Sequence, residues 1–142
     1  RLCFSWAKAQ PMVASDKTGR TDIRGAYGLL AQEMMAWVNQ FQYIPNKDII
    51  FTAILEQRLD EFNRSIWMPQ CEGNKTANEL PSVLDEVISM VSLKKEETQQ
   101  RAFVCQTINP WGYPAKDRSG RLEIVEEAHL GKLLAKIKQT KN

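Results

Sequence analysis

At 142 residues, with 43% apolar and 25% charged side chains, the chain suits one domain with a real core and is neither disordered nor membrane-spanning by composition. A net charge of +2 excludes a global electrostatic pull toward nucleic acid, so any basic site has to be local. Cys3, Cys71 and Cys105 are an odd, widely spaced set without a Cys-x-x-Cys pair, and the single histidine, His129, cannot complete a usual zinc quartet. No metal site is expected, and reduced thiols in a cytoplasmic protein are the default.

The chain opens with Arg1 rather than Met, on an apolar stretch without the charged leader and cleavage site of a secretory signal, and reads as though entered partway through. Residues 1–8 finish a helix or a strand connection, and Ala9 to Thr21 is a polar loop marked by Pro and Gly. From Asp22, the apolar residues Ile23, Tyr27, Leu30, Met34, Trp37 or Val38, and Phe41 recur at helical spacing. Asp22 is placed to cap a helix over residues 22–42 that Pro45-Asn46 ends. The nearly continuous apolar run from Asp48 to Leu55 predicts a central strand covered on both faces.

Glu56 to Arg64 is strongly charged, and Ser65 to Pro69 reads as a short outer strand or β-arm. A polar loop from Cys71 to Thr76 leads to a short helix near Ala77–Leu84. Glu86–Leu93 and Arg101–Ile108 both alternate, and the hydrophilic Lys94–Thr98 between them predicts an antiparallel hairpin. Leu130, Leu133, Leu134 and Ile137 mark a C-terminal helix with a Lys-rich last turn, as the helix dipole prefers. His129, just before that stripe, suits a capping or surface role better than that of a catalytic base.

The richest segment is Gly112-Tyr113-Pro114-Ala115-Lys116-Asp117-Arg118-Ser119-Gly120-Arg121-Leu122. It sets Lys116 and Arg118 one residue apart on a loop tightened by Pro114 and Gly120. Alternate residues of an extended loop point the same way, so the two cations can grip one anion, for which a phosphate chain is the commonest candidate. Asp117, pointing the other way, is expected to anchor the loop. The same residue types are also those of an ordinary solvated turn.

The pieces Arg24-Gly25-Ala26-Tyr27-Gly28, Ile49–Ala53, Asn78-Glu79-Leu80-Pro81, Asp85-Glu86-Val87 and Tyr113-Pro114-Ala115-Lys116-Asp117-Arg118-Ser119-Gly120, in this order, resemble the C-terminal part of phage-encoded RecA-like P-loop ATPases associated with single-strand annealing and recombination. The resemblance covers roughly residues 1–139. It implies an α/β fold, a RecA-like three-layer αβα sandwich of which these residues form the C-terminal portion as one domain, with a mostly parallel sheet and a C-terminal antiparallel hairpin. It also implies ATP and Mg2+ in the complete protein, a homo-oligomer acting on single-stranded DNA in the host cytoplasm, a single-strand-binding protein as a further partner, and no membrane. The family's Gly-x-x-x-x-Gly-Lys-Ser/Thr loop lies upstream of the matched region and is not among these residues, so no nucleotide is expected to stay bound to this chain alone.

Lys-Asp-Arg-Ser-Gly is similar to the Lys-Asn-Arg-Phe-Gly element of RadA-type relatives, whose cations reach a neighbouring subunit's nucleotide site. The resemblance thus implies that Lys116 and Arg118 act in trans on ATP, with Tyr113 beside them. Members of the family often carry a His after the Thr-Ala that matches Thr52-Ala53, where this chain has Ile54. Glu56 and Gln57 are the nearest substitutes for a water-positioning group, or simply exposed loop residues. Residues 58–76 fall where RecA-like proteins touch DNA, offering Arg58, Arg64 and Lys75 for phosphates, Asn63 and Asn74 for sugar or phosphate, and Trp67 for stacking. Asp60, Glu61 and Glu72 oppose that role, and Trp67 also suits a cover over a sheet. The competing reading is a non-catalytic DNA-binding or assembly module.

Overall fold

The structure, a computed structural model, describes residues 2–14, 19–71, 74–95 and 98–139. The chain divides into two compact units, one made of residues 1–54 and 69–83, the other of residues 55–68 and 84–142.

The first unit is helical. Helix α1 (Leu2–Lys8) is followed by a 3-10 turn over Pro11–Val13 and by helix α2 (Ile23–Gln42). Asp22 caps α2, its carboxylate accepting from the Gly25 N–H at 2.9 Å, which satisfies one of the orphan donors of the first turn. A short bridge between Ala14 and Thr21 closes the loop ahead of it. Ala7, Val13, Ala26 and Leu30 form the buried centre, with Phe4, Leu29 and Met34 packed around it, so helical spacing becomes a real face. Phe4 stacks on Tyr27 at 4.1 Å between centroids. Helix α3 (Asn74–Val83) packs on α2 and is tied to it by Gln42 Nε2, which donates to the Val83 carbonyl at 2.5 Å. Helices over 22–42 and near 77–84 were both legible, with α3 beginning a few residues earlier than expected.

The expected central strand at 48–55 is not formed. Residues 47–54 have no regular secondary structure, and Ile49, Ile50 and Ile54 are exposed, Ile54 by 71%. Phe51 alone of that run is drawn inward, meeting Trp37 and Phe41 edge-to-face at 5.6 Å. An apolar, β-branched run signals a demand for burial. A strand also needs a neighbouring backbone for its N–H and C=O groups, and composition does not report that.

The second unit carries the sheets. Strands β1 (Leu55–Leu59) and β2 (Ser65–Pro69, of which the unit takes residues through Met68) pair with each other. A five-residue connection is too short for a parallel crossover, so they form an antiparallel hairpin. β3 (Glu86–Val87) pairs antiparallel with β6 (Lys116–Asp117), setting Glu86 opposite Asp117 and Val87 opposite Lys116. β4 (Ser89–Lys95) and β5 (Thr98–Val104) form the expected hairpin, in register from Ser89 with Val104 to Lys95 with Thr98, and β7 (Val125–Glu127) adds to the outer side of β5. Glu96 and Glu97 of the anticipated turn lie outside the described residues, as do Glu72 and Gly73 of the polar loop before α3. Among the described residues the fold is mixed α/β with antiparallel sheets, and the mostly parallel sheet implied by the resemblance finds no parallel ladder there. Residues 55–59 read as charged rather than as a strand because their alternation is carried by Glu56 and Arg58, which pair with each other.

Two small cores stiffen this unit. Val91, Ala102, Val104 and Ala115 pack with Leu93, Trp111 and Tyr113 on one side of the hairpin. Cys105, Leu122 and Leu133 pack with Ile88, Phe103 and Ile137 on the other, which docks helix α4 (Leu130–Ile137). His129 caps α4, its Nδ1 accepting from the Lys132 N–H at 3.2 Å, in line with the capping role read from its position. Burial pushes the Cys105 thiol up to about 12, with the negative charge of Glu126 adding to the effect, so it stays protonated and unreactive. No helix among the described residues is long and apolar enough to cross a membrane.

Leu133 is the α4 side chain sunk into the second core. Leu133→Ala is expected to lower unfolding free energy by about 2–4 kcal/mol. Urea denaturation followed by circular dichroism checks this, and a change below about 1 kcal/mol would mean that α4 does not rely on that core.

Candidate functional site: the Lys116–Leu122 loop

The loop is prepared by the segment that leads into it. Asn109 crosslinks residues 106–113: its Nδ2 donates to the Gln106 carbonyl at 3.0 Å and the Tyr113 carbonyl at 2.9 Å, while its Oδ1 accepts from the N–H groups of Trp111 and Tyr113. Gly112, at φ 62°, takes the left-handed turn this requires. Ser89 Oγ and Thr107 Oγ1 donate to the carbonyls of Pro114 and Ala115 at 2.6 and 2.9 Å. The chain therefore enters β6 on a path with its backbone groups already engaged.

Asp117 is the organising residue. Its Oδ1 accepts from Ser119 Oγ at 2.6 Å and Gly120 N at 3.0 Å, and its Oδ2 from Leu122 N at 2.8 Å, with Gln106 Nε2 farther out at 3.4 Å. Gly120 takes φ 65°, which lets the backbone fold back over the carboxylate. Burial by itself would raise the Asp117 pKa, but the hydrogen bonds from Ser119, Leu122 and Gly120 outweigh it and hold the carboxyl below its ordinary range. Across the β3–β6 pair, Glu86 accepts from Arg118 N at 3.2 Å and Ser119 N at 3.1 Å. Burial pushes Glu86 up, against those bonds and with help from the neighbouring Asp117 charge, so a proton held by this pair of carboxyls rests on Glu86.

Both cations lean toward the residues that precede β3. Lys116 Nζ donates to the Leu84 carbonyl at 2.6 Å, and Arg118 Nη1 forms an ion pair with Asp85. The Arg118–Asp85 pair is open to water, with side chains 69% and 72% exposed, whereas Lys116 is half-buried. Lys116 and Arg118 thus share one side of the loop and Asp117 anchors it from the other, the alternation read from the sequence. Leu84, Asp85 and Glu86 were not singled out as partners of the cations. Two acids next to a predicted strand were the available signal, but register alone brings them to residues more than thirty positions away.

Tyr113 does not line this side. Its ring packs in the first core and meets Trp67 edge-to-face at 5.3 Å, so Trp67 serves as a cover on the sheet unit here. On the hairpin, Arg58 is paired with Glu56, and Arg64 with Asp60 at 2.7 Å. Asp60 also builds the turn, its Oδ1 accepting from the Phe62 and Arg64 N–H groups at 2.8 and 2.9 Å, and Asn63 occupies its left-handed position at φ 58°. The bond from the Arg64 N–H, chief among these, lowers the Asp60 pKa. Gln57 is exposed on β1. Asn74 and Lys75 open α3, with side chains outside the described part of the structure. Among the described residues, no group of three or more His, Cys, Asp or Glu gathers to hold a metal. The cationic donors Lys116 and Arg118 match phosphate oxygens in charge.

A family model described as an AAA domain matches residues 1–119, a span that includes Lys116 and Arg118 and stops short of β7 and α4. No curated protein and no solved structure matches the chain.

Asp117→Ala is expected to cost about 2–4 kcal/mol of stability at pH 7, the worth of bonds to a charged acceptor partly replaced by water. Because the folded pKa of Asp117 is depressed, its contribution is present above the ordinary value of 3.8 and is lost as pH falls through the lower folded value. Wild type and variant should therefore converge in urea denaturation at the acid end. Glu86 has the opposite sign: its stabilisation is full below 4.5 and is lost as pH rises through the raised folded value, a loss that Glu86→Gln removes.

Proposed function

Because this chain belongs to the AAA-domain family of nucleotide-binding ATPases, we propose that it is part of an ATP-hydrolysing protein whose Lys116 and Arg118 are supplied to the nucleotide of a neighbouring subunit. The observation that carries this reading is the construction of the loop. Its backbone is fixed by Asp117, Glu86 and the strand pairing, while the Arg118 guanidinium stands in solvent on a single exposed partner. Phosphoryl transfer is catalysed chiefly by positioning and by neutralising charge that develops on the transferred group. A rigid backbone with an exchangeable cation at its tip suits that task.

These 142 residues contain no Gly-x-x-x-x-Gly-Lys-Ser/Thr loop, so in this reading the chain's own contribution is the cation pair. ATP would be met by Lys116 and Arg118 through its phosphate oxygens, and Mg2+ would arrive with the nucleotide. Hydrolysis then depends on assembly into a homo-oligomer, in a RecA-like arrangement working on single-stranded DNA during phage recombination or annealing. For DNA, Arg58 and Arg64 would have to exchange Glu56 and Asp60 for phosphates, a modest cost because such exposed pairs are weak.

The missing Gly-rich loop favours a second reading, a DNA-binding or assembly module without turnover. The two are separated by ATP hydrolysis in the natural full-length protein, with and without single-stranded DNA. The double variant Lys116→Ala/Arg118→Ala is expected to lower turnover by about 10³-fold or more while nucleotide still binds, the size of a cationic finger's contribution. Turnover equal to wild type rejects the finger assignment, and inactivity of the wild-type protein favours the module.

A further inference from the structure

Arg118 is not simply displayed. Continuing the β3–β6 register by one residue beyond the Glu86–Asp117 pair sets Asp85 opposite Arg118, and there the two side chains form their ion pair. The same short segment holds the rest of the loop. The Leu84 carbonyl takes Lys116 Nζ, and the Glu86 carboxylate takes the N–H groups of Arg118 and Ser119. Three consecutive residues therefore hold three different parts of the loop, and only the Asp85 contact lies wholly at the exposed surface.

The buried and backbone contacts fix where the loop is, and they would survive recruitment to a phosphate. The Asp85 contact would not, because one guanidinium cannot present its full fork of donors to a carboxylate and a γ-phosphate together. For the ATPase proposed above, on which this role of Asp85 rests, we propose that Asp85 is the resting partner that Arg118 must leave, so that this carboxylate sets how readily the loop is recruited across the subunit interface. Asp85 is a positioning residue: it acts through Arg118 and touches no substrate. An exposed pair suits such a role, since it is weak enough to be exchanged and strong enough to bias the guanidinium away from unassembled encounters.

The test is ATP turnover of the natural full-length protein measured against protein concentration, in wild type, Asp85→Asn, Asp85→Glu and Arg118→Ala. Asp85→Asn is expected to lower the concentration giving half-maximal turnover by about 2- to 5-fold, the scale of one exposed ion pair, and Asp85→Glu to restore it toward wild type. A purely structural carboxylate moves the other way, because losing a stabilising contact can only weaken assembly. An inactive Arg118→Ala together with an unchanged or raised half-maximal concentration in Asp85→Asn overturns the role of Asp85 and leaves the finger assignment standing. Wild-type turnover in Arg118→Ala overturns both.

Discussion

The structure around the candidate site depends on one carboxylate. Asp117 gathers Ser119, Gly120 and Leu122 onto its two oxygens, and without it the chain after β6 would have several polar groups competing for solvent rather than a single path. A half-buried acid carries a desolvation cost, and the inward-pointing N–H groups more than offset it. The cost and its compensation fix the direction in which Lys116 and Arg118 emerge. Glu86 completes the arrangement from the facing strand, accepting from the same turn at its own raised pKa.

Charge is distributed unevenly over the sheet unit. On the β1–β2 hairpin, Arg58 and Arg64 meet acids two and four residues away, so their pairing is a local property that would persist wherever the hairpin points. Arg118 meets an acid that only strand register brings near. A local pair can form in a fragment, whereas a register-dependent pair reports that β3 and β6 are joined. This is why the loop, rather than the more cationic-looking stretch 58–76, has the character of a built site. The AAA-domain match over residues 1–119 spans that loop together with both of the strands that hold it.

α4 and β7 lie beyond that matched span, yet they belong to the same packing. Leu122 follows directly from the Asp117 turn and shares a core with Leu133 and Ile137 of α4. Arg121 Nη1 donates to the Ile137 carbonyl at 2.7 Å, and Lys136 pairs with Glu126 at 2.5 Å. The loop is thus clamped at its far end by the C-terminal helix and at its near end by Asn109, so the short stretch between has little freedom of its own.

The amino-acid sequence by itself determined the pieces whose rules are local. Helical spacing with an Asp22 cap specified α2, alternation with a polar turn specified the β4–β5 hairpin, the Leu130–Ile137 stripe specified α4, and the Lys-Asp-Arg alternation specified which way three side chains point. Tertiary structure alone decided what those pieces meet. It left residues 47–54 without a ladder despite their strand-like composition, made a strand of the charged 55–59, turned Tyr113 and Trp67 into packing partners, and placed Leu84, Asp85 and Glu86 under the cations. The physical reason is the range of the interactions. Caps and periodicities act within a few residues, whereas backbone pairing and ion pairing between strands depend on which distant segment supplies the matching donor or charge, and no composition rule records that choice.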